Sequence, residues 1–185
     1  MLAYVFWHWA QAGVAASTYE AKLREFQQTL AANKPPGFLH SAVFRVHGAS
    51  WLGKVAEAYE EWYLTDGSAA LDPLNEAAVA PACRAAHDAV AQLAAGGTAG
   101  LYRLGQGKPS LEFTRFAYWF AKPAGMKYEE FYARLLPITD RSGVALWGRQ
   151  MVLGPTLEFC LHTRETVEIP PGITPQMSPL ERLWP

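Results

Sequence analysis

The chain has 185 residues, of which 50% are hydrophobic, 13% aromatic and 18% charged. A chain of that length builds one domain, or two very small ones sharing a core, and its aromatic load and low charge exclude a disordered chain. Lysine and arginine number 16 against 17 aspartate and glutamate, a formal net charge of -1, so no basic excess exists to meet phosphate and a general nucleic-acid binder is excluded.

Residues 2–10, dense in aromatic and β-branched types, predict a strand. After a turn at 11–17, Ser17 or Thr18 caps a helix, with Glu20 at capping-box spacing. Tyr19, Leu23, Phe26 and Leu30 share that helix's apolar face, and the run from Asn33 to Gly37, with two prolines, stops it. Strands are expected at 38–47 and 58–65, on either side of a loop with an isolated Trp51. A helical region opens near Leu71, restarts at Pro81 and runs over 82–95, with Cys83, Ala86, Val90 and Leu93 inward. Gly96 and Gly97 read as its C-cap and turn, leaving a short strand at 101–105, and residues 105–109 separate the halves. The second half predicts strands at 112–121, 143–153 and 157–163, with a helix at 127–136 after the first. The last 16 residues hold five prolines and no periodicity. They read as an extended tail laid over the body, anchored by Trp184.

The N-terminus, MLAYVFWHWAQAG, lacks the basic head and long apolar run of a secretory signal, and no segment reads as a transmembrane helix. Cys83 and Cys160 make neither a disulfide scaffold nor a thiolate zinc knot. They read as buried free thiols of a reducing cytoplasm, with one long-range disulfide as the alternative. The expected location is cytoplasmic, with neither membrane nor nucleic acid as partner.

The halves echo one another. YVFWHWAQAG at 4–13 parallels FAYWFAKPAG at 116–125, and helices opening with Tyr19-Glu20 and Tyr128-Glu129 follow. GFLHSAVFRVHG at 37–48 parallels GVALWGRQMVLG at 143–154, and EEWYLT at 60–65 parallels EFCLHT at 158–163. The shared order is strand, helix, strand, strand, to which the first half adds a helix and a fourth strand, giving β-α-β-β-α-β. This pattern resembles the dimeric α+β-barrel superfamily, whose members include antibiotic-biosynthesis monooxygenase-like, EthD-like, muconolactone-isomerase-like and chlorite-dismutase-like proteins. The resemblance implies an α+β chain of two tandem ferredoxin-like units packed sheet to sheet. Unit 1–108 would be complete; unit 109–185 would lack its second helix and end in the proline-rich tail. Homodimers are common among such proteins, and a homodimer is an expected partner here.

The resemblance also implies a pocket between sheet and helices within a unit, expected in 2–105, with the barrel interior mainly packing. His8 sits mid-strand among Phe6, Trp7 and Trp9; a neutral imidazole there serves as base, acid or ligand, or as a core histidine held by a tyrosine. Glu60 and Glu61 point to opposite strand faces. Whichever of them is partly buried beside His8 or Tyr63 would carry protons; the alternative is an ion pair with Arg45 or Arg149. His8, Glu61 and Tyr63 are thus the candidate catalytic residues, and His40, His87, Tyr118, Arg149 and His162 the candidate substrate-binding ones. Cys83 and His87 stand one helical turn apart, but no third ligand completes a metal pair. No cofactor is expected; haem, known in some of the families resembled, is the alternative. Two functions follow from the resemblance. One is a cofactor-independent oxygenase, isomerase or proton-transfer enzyme on a small apolar or aromatic substrate. The other is a non-enzymatic small-ligand-binding or stress-response protein.

Overall fold

The computed structural model describes residues 1–47, 49–53, 55–150 and 154–185. The first half folds as β1 (Leu2–Ala10), α1 (Ala16–Ala32), β2 (Phe38–His47), β3 (Glu57–Thr65), α2 (Leu71–Val79), α3 (Pro81–Ala91) and β4 (Ala94–Gly107). The second follows as β5 (Phe116–Phe120), α4 (Tyr128–Thr139), β6 (Ala145–Arg149), β7 (Phe159–Thr163), β8 (Gln176–Pro179) and β9 (Glu181–Trp184). The nine strands form one antiparallel sheet in the order β8-β5-β7-β6-β4-β1-β3-β2-β9. The order β4-β1-β3-β2 of the first half recurs as β8-β5-β7-β6 in the second.

The tail differs from its expectation. It is not merely laid over the body but supplies β8 and β9, which pair with β5 and β2 at opposite sides of the sheet. Only Leu180 separates them, so the tail bridges both sides and the sheet nearly closes into a barrel. Proline is tolerated on strands with one unpaired edge, because its missing N–H can face away from the ladder; proline content therefore hid these strands. Trp184 packs with Tyr19, Leu23, Val43 and Tyr59, in line with its expected anchoring role.

Period-two alternation sorts side chains into two compartments. Trp7, Trp62, Tyr102, Trp119 and Trp147 turn into the barrel and are fully buried. They come from both halves, so the barrel has one shared core. The other sheet face is covered by helices. Beneath α4, Phe120, Phe131, Leu135, Phe159 and Leu161 form one buried cluster, and Val167, Ile169 and Ile173, at and before the start of the tail, pack against it.

Several boundaries move for physical reasons. α1 begins at Ala16 behind Ala15, with no side-chain cap; Glu20 instead binds the Arg45 guanidinium, and Arg24 Nη2 lies 3.4 Å from it. A charged donor outcompetes a capping amide. α3 stops at Ala91, and Gly96, Gly97 and Gly100 belong to β4, paired with β1. They are small because a Cβ at Gly97 would strike the Phe6 ring, and one at Gly96 would lie 2.8 Å from Trp9. The expected strand at 112–121 shortens to β5 after a 3-10 turn at Leu111–Phe113. Trp51, the lone tryptophan of its loop, packs on the barrel core, its ring centroid 5.4 Å from that of Trp119. Gly48, Lys54 and residues 151–153, parts of the expected loop and repeat strands, lie outside the described residues.

Gly107 ends β4 at φ 78°, and a Cβ there would run into the carbonyl oxygen of Val144. Gly107→Ala is therefore expected to destabilise the fold by about 3 kcal/mol, read as a lowered urea midpoint at unchanged slope.

Candidate active site

A cavity of about 770 Å³ opens between the first half's sheet and α1, α2 and α3, within the size range of small-molecule pockets. Alternation along β1 presents Tyr4, Phe6 and His8 to it, and alternation along β3 presents Glu61 and Tyr63. The register sets Tyr4 opposite Tyr63 and Phe6 opposite Glu61, which leaves His8 diagonal to Glu61. The glycines of β4 supply floor without side chains, and Phe26, Leu30, Leu74 and Val90 form the helical wall.

At the inner wall the polar groups hold one another. His8 Nδ1 lies 2.7 Å from the Tyr19 hydroxyl, and His8 Nε2 lies 2.8 Å from Glu61 Oε1. The second contact is close but off the line of a good hydrogen bond, so it is a polar approach rather than an aligned N–H···O bond. Gln27 Nε2 donates to Glu61 Oε2 and to the Tyr63 hydroxyl, each at 2.8 Å. The Ser41 hydroxyl donates to Gln27 Oε1 at 2.7 Å. That bond fixes which way the Gln27 amide points. Since Tyr63 accepts from Gln27, its own proton goes to Glu61 Oε2, the remaining contact of that hydroxyl. Glu61 thus meets two donors on one oxygen and an imidazole beside the other, the surroundings of a carboxylate.

His8 is stacked between Phe6 and Tyr59, with ring centroids 5.2 and 5.7 Å away. Burial, then the Glu61 charge, push the Tyr19 and Tyr4 hydroxyls above the ordinary phenol range, so both stay protonated. A Tyr19 O–H donated to Nδ1 puts the ring proton on Nε2, beside Glu61. Both nitrogens of His8 then face protein groups, and His8 offers no free nitrogen to a haem iron. Among the described residues no group of three or more His, Cys, Asp or Glu is placed to hold a metal ion.

The structure brings His8, Glu61, Tyr63 and His87 to this cavity. His87 stands on its helical wall, Nδ1 3.0 Å from the Asp88 carboxylate. The other candidates lie elsewhere. His40 lines a separate, smaller hollow with Lys34, Phe38 and Trp184. Tyr118 is under the second half, where its hydroxyl accepts from the Val167 N–H at 3.0 Å. Arg149 donates to the Thr156 carbonyl at 3.0 Å. His162 is inside the barrel, its ring centroid 4.2 Å from that of Trp62. Neither ion pair considered for Glu60 and Glu61 forms: Arg45 binds Glu20 and Glu181 instead. Glu60 faces the barrel and accepts from Trp7 Nε1 at 2.7 Å and Trp62 Nε1 at 2.5 Å.

Sequence reasoning missed Tyr19, Gln27 and Ser41 as site residues. Gln27 had a signal: it lies four residues after Leu23 and three before Leu30, so it is a polar residue on the buried face of α1.

No protein-family model matches the chain, and no curated protein matches it. Solved structures do. A candidate monooxygenase from Lactobacillus acidophilus NCFM superposes with a TM-score of 0.64 at 10% identity, over 98% of this chain and 94% of that one. A candidate chlorite dismutase superposes with a TM-score of 0.51 at 12% identity, over 97% of this chain and 93% of that one. At these identities the likeness is one of fold, and the fold is that of the ferredoxin-like dimeric α+β barrels.

Proposed function

We propose that the cavity binds a small apolar or aromatic molecule and that Glu61, paired with His8, accepts a proton from it, with no metal or organic cofactor in the step. One observation carries this reading: an imidazole and a carboxylate meet at 2.8 Å on the inner wall of a cavity otherwise lined mainly by apolar and aromatic groups. The substrate X–H bond breaks, its electron pair stays on the substrate, and the proton joins Glu61. Tyr63 and Gln27 hold the carboxylate in place, and His8, backed by Tyr19, relays or returns the proton. Return to a different atom is isomerisation. Cofactor-free oxygenation would begin with the same deprotonation, followed by reaction of the substrate anion with dioxygen.

The repeated strand order supports the reading of two ferredoxin-like units, 1–108 and 109–185, the second without its second helix. The cavity lined by His8 and Glu61 lies in the first unit, which agrees with a working pocket there. The candidate dismutase extends no further than fold: chlorite is an anion, and among the described residues no lysine or arginine lines this cavity.

Non-enzymatic binding is the second reading, favoured by the mutual satisfaction of Gln27, Tyr63 and Glu61 without any ligand. Deuterium exchange separates the two. Phenols and enolisable ketones that bind the protein are incubated with it in D₂O, and their isotope content is followed by mass spectrometry. The enzyme reading expects catalysed exchange that falls by about 100-fold or more in Glu61→Gln while binding persists. Binding without catalysed exchange in the native protein establishes the second reading instead.

A further inference from the structure

The charge around the cavity is one-sided. Among the described residues no lysine or arginine lines it, whereas two carboxylates do: Glu61 on the inner wall and Asp72 at the exposed rim. A helix start favours an anion, but at α2 Asp72 already occupies the first turn. His87 is likewise drawn to a carboxylate, that of Asp88. The rings of Tyr4, Phe6, Phe26 and Tyr63 also line the cavity.

An anion entering this space would lose its water, find no countercharge and approach Glu61. A protonated amine gains on both counts. Carboxylates attract it, and aromatic faces take the place of part of its hydration shell.

We propose that the ligand is an amine with an apolar or aromatic body, its ammonium held toward Asp72, and that the site rejects carboxylic acids of the same shape. This rests on the reading of the cavity as a ligand site, and is independent of whether a proton is transferred there.

The test is calorimetric titration of the full chain with three probes sharing a phenol ring: tyramine (cationic), 4-ethylphenol (neutral) and 4-hydroxyphenylacetate (anionic). Tyramine is expected to bind about tenfold or more tighter than the acid, with 4-ethylphenol between them. Asp72→Asn is expected to weaken tyramine about threefold and leave 4-ethylphenol unchanged, and added salt should shrink the same gap. Equal binding of the three, or tighter binding of the acid, overturns the charge selection and leaves the proposed proton transfer standing. An equal loss of tyramine and 4-ethylphenol in Asp72→Asn also overturns it, since shape rather than charge would then be read. If none of the three binds at millimolar concentration, the cavity fails as a site for phenolic amines and the charge selection falls, while the exchange experiment with enolisable ketones still decides the proposed function.

Discussion

Truncating Trp62 to alanine is expected to destabilise the protein by about 5 kcal/mol, comparable with the whole stability of many domains. The Trp62 ring lies 4.2 Å from His162, 5.4 Å from Trp147, 6.1 Å from Tyr102 and 6.3 Å from Trp119, centroid to centroid. Its loss removes the contact between a strand of the first half and three of the second. Deleting a buried tryptophan costs about 3–5 kcal/mol in lost transfer energy and cavity. Its N–H also donates to Glu60 Oε1, and a buried carboxyl oxygen left without that donor costs about 1–3 kcal/mol more. Trp62→Phe keeps a ring and loses the N–H, so about 2 kcal/mol is expected. The exposed Phe113→Ala should stay within about 0.5 kcal/mol of the native protein. Urea midpoints check all three. Because the barrel core draws on both halves, each variant should unfold in one transition. Two resolved transitions, or a Trp62→Ala protein within about 1 kcal/mol of native, would contradict a single shared core.

The distinction between local and long-range information explains what the sequence disclosed. β1, α1, β2 and β3 follow directly from periodicity, because their faces are set by neighbours a few residues away. Tyr4, Phe6 and His8 could be placed on one face of β1 by counting in twos. Their meeting with Glu61 could not, because it depends on the register between β1 and β3, which is decided by packing across the sheet. The same limit hid β4. Gly96 and Gly97 carry a turn signal in isolation, yet pairing with β1 draws them into the sheet, and the crowding of Trp9 and Phe6 requires them to be glycine. Prolines hid the tail's strands for a similar reason: what makes β8 and β9 strands is the pair of open edges waiting for them. His162 shows how a residue type misleads without depth. On β7 a histidine reads as a ligand contact, but its alternation turns it into the barrel, where it is 1% exposed.

That burial gives His162 and Glu60 opposite effects on stability. Desolvation lowers His162 to a pKa of about 3 and raises Glu60 to about 7, the latter despite two indole donors. Both are therefore neutral inside the barrel over the interval between those values. In the unfolded chain Glu60 ionises near 4.5 and His162 near 6.5. As pH rises from 4.5 to 7, the unfolded chain releases the Glu60 proton while the folded chain keeps it, and stability falls by about 3 kcal/mol in total. As pH falls from 6.5 to 3, the unfolded chain takes up the His162 proton while the folded chain refuses it, and stability falls by about 5 kcal/mol. Between pH 4.5 and 6.5 the two slopes, about 1.4 kcal/mol per pH unit each, oppose one another and cancel. Single replacements uncover them. Relative to the native protein, Glu60→Gln should lose stability as the solution is acidified through this window, and His162→Leu should gain it. Neither His162 nitrogen has a hydrogen-bond partner among the described residues, so the leucine variant is also expected to be the more stable protein across the window. Thermal midpoints of the three proteins, taken at half-unit steps, measure the difference curves directly, and other titrating groups drop out of them. Difference curves that stay flat would mean that the barrel does not hold these two groups neutral, and that water or a counterion reaches them.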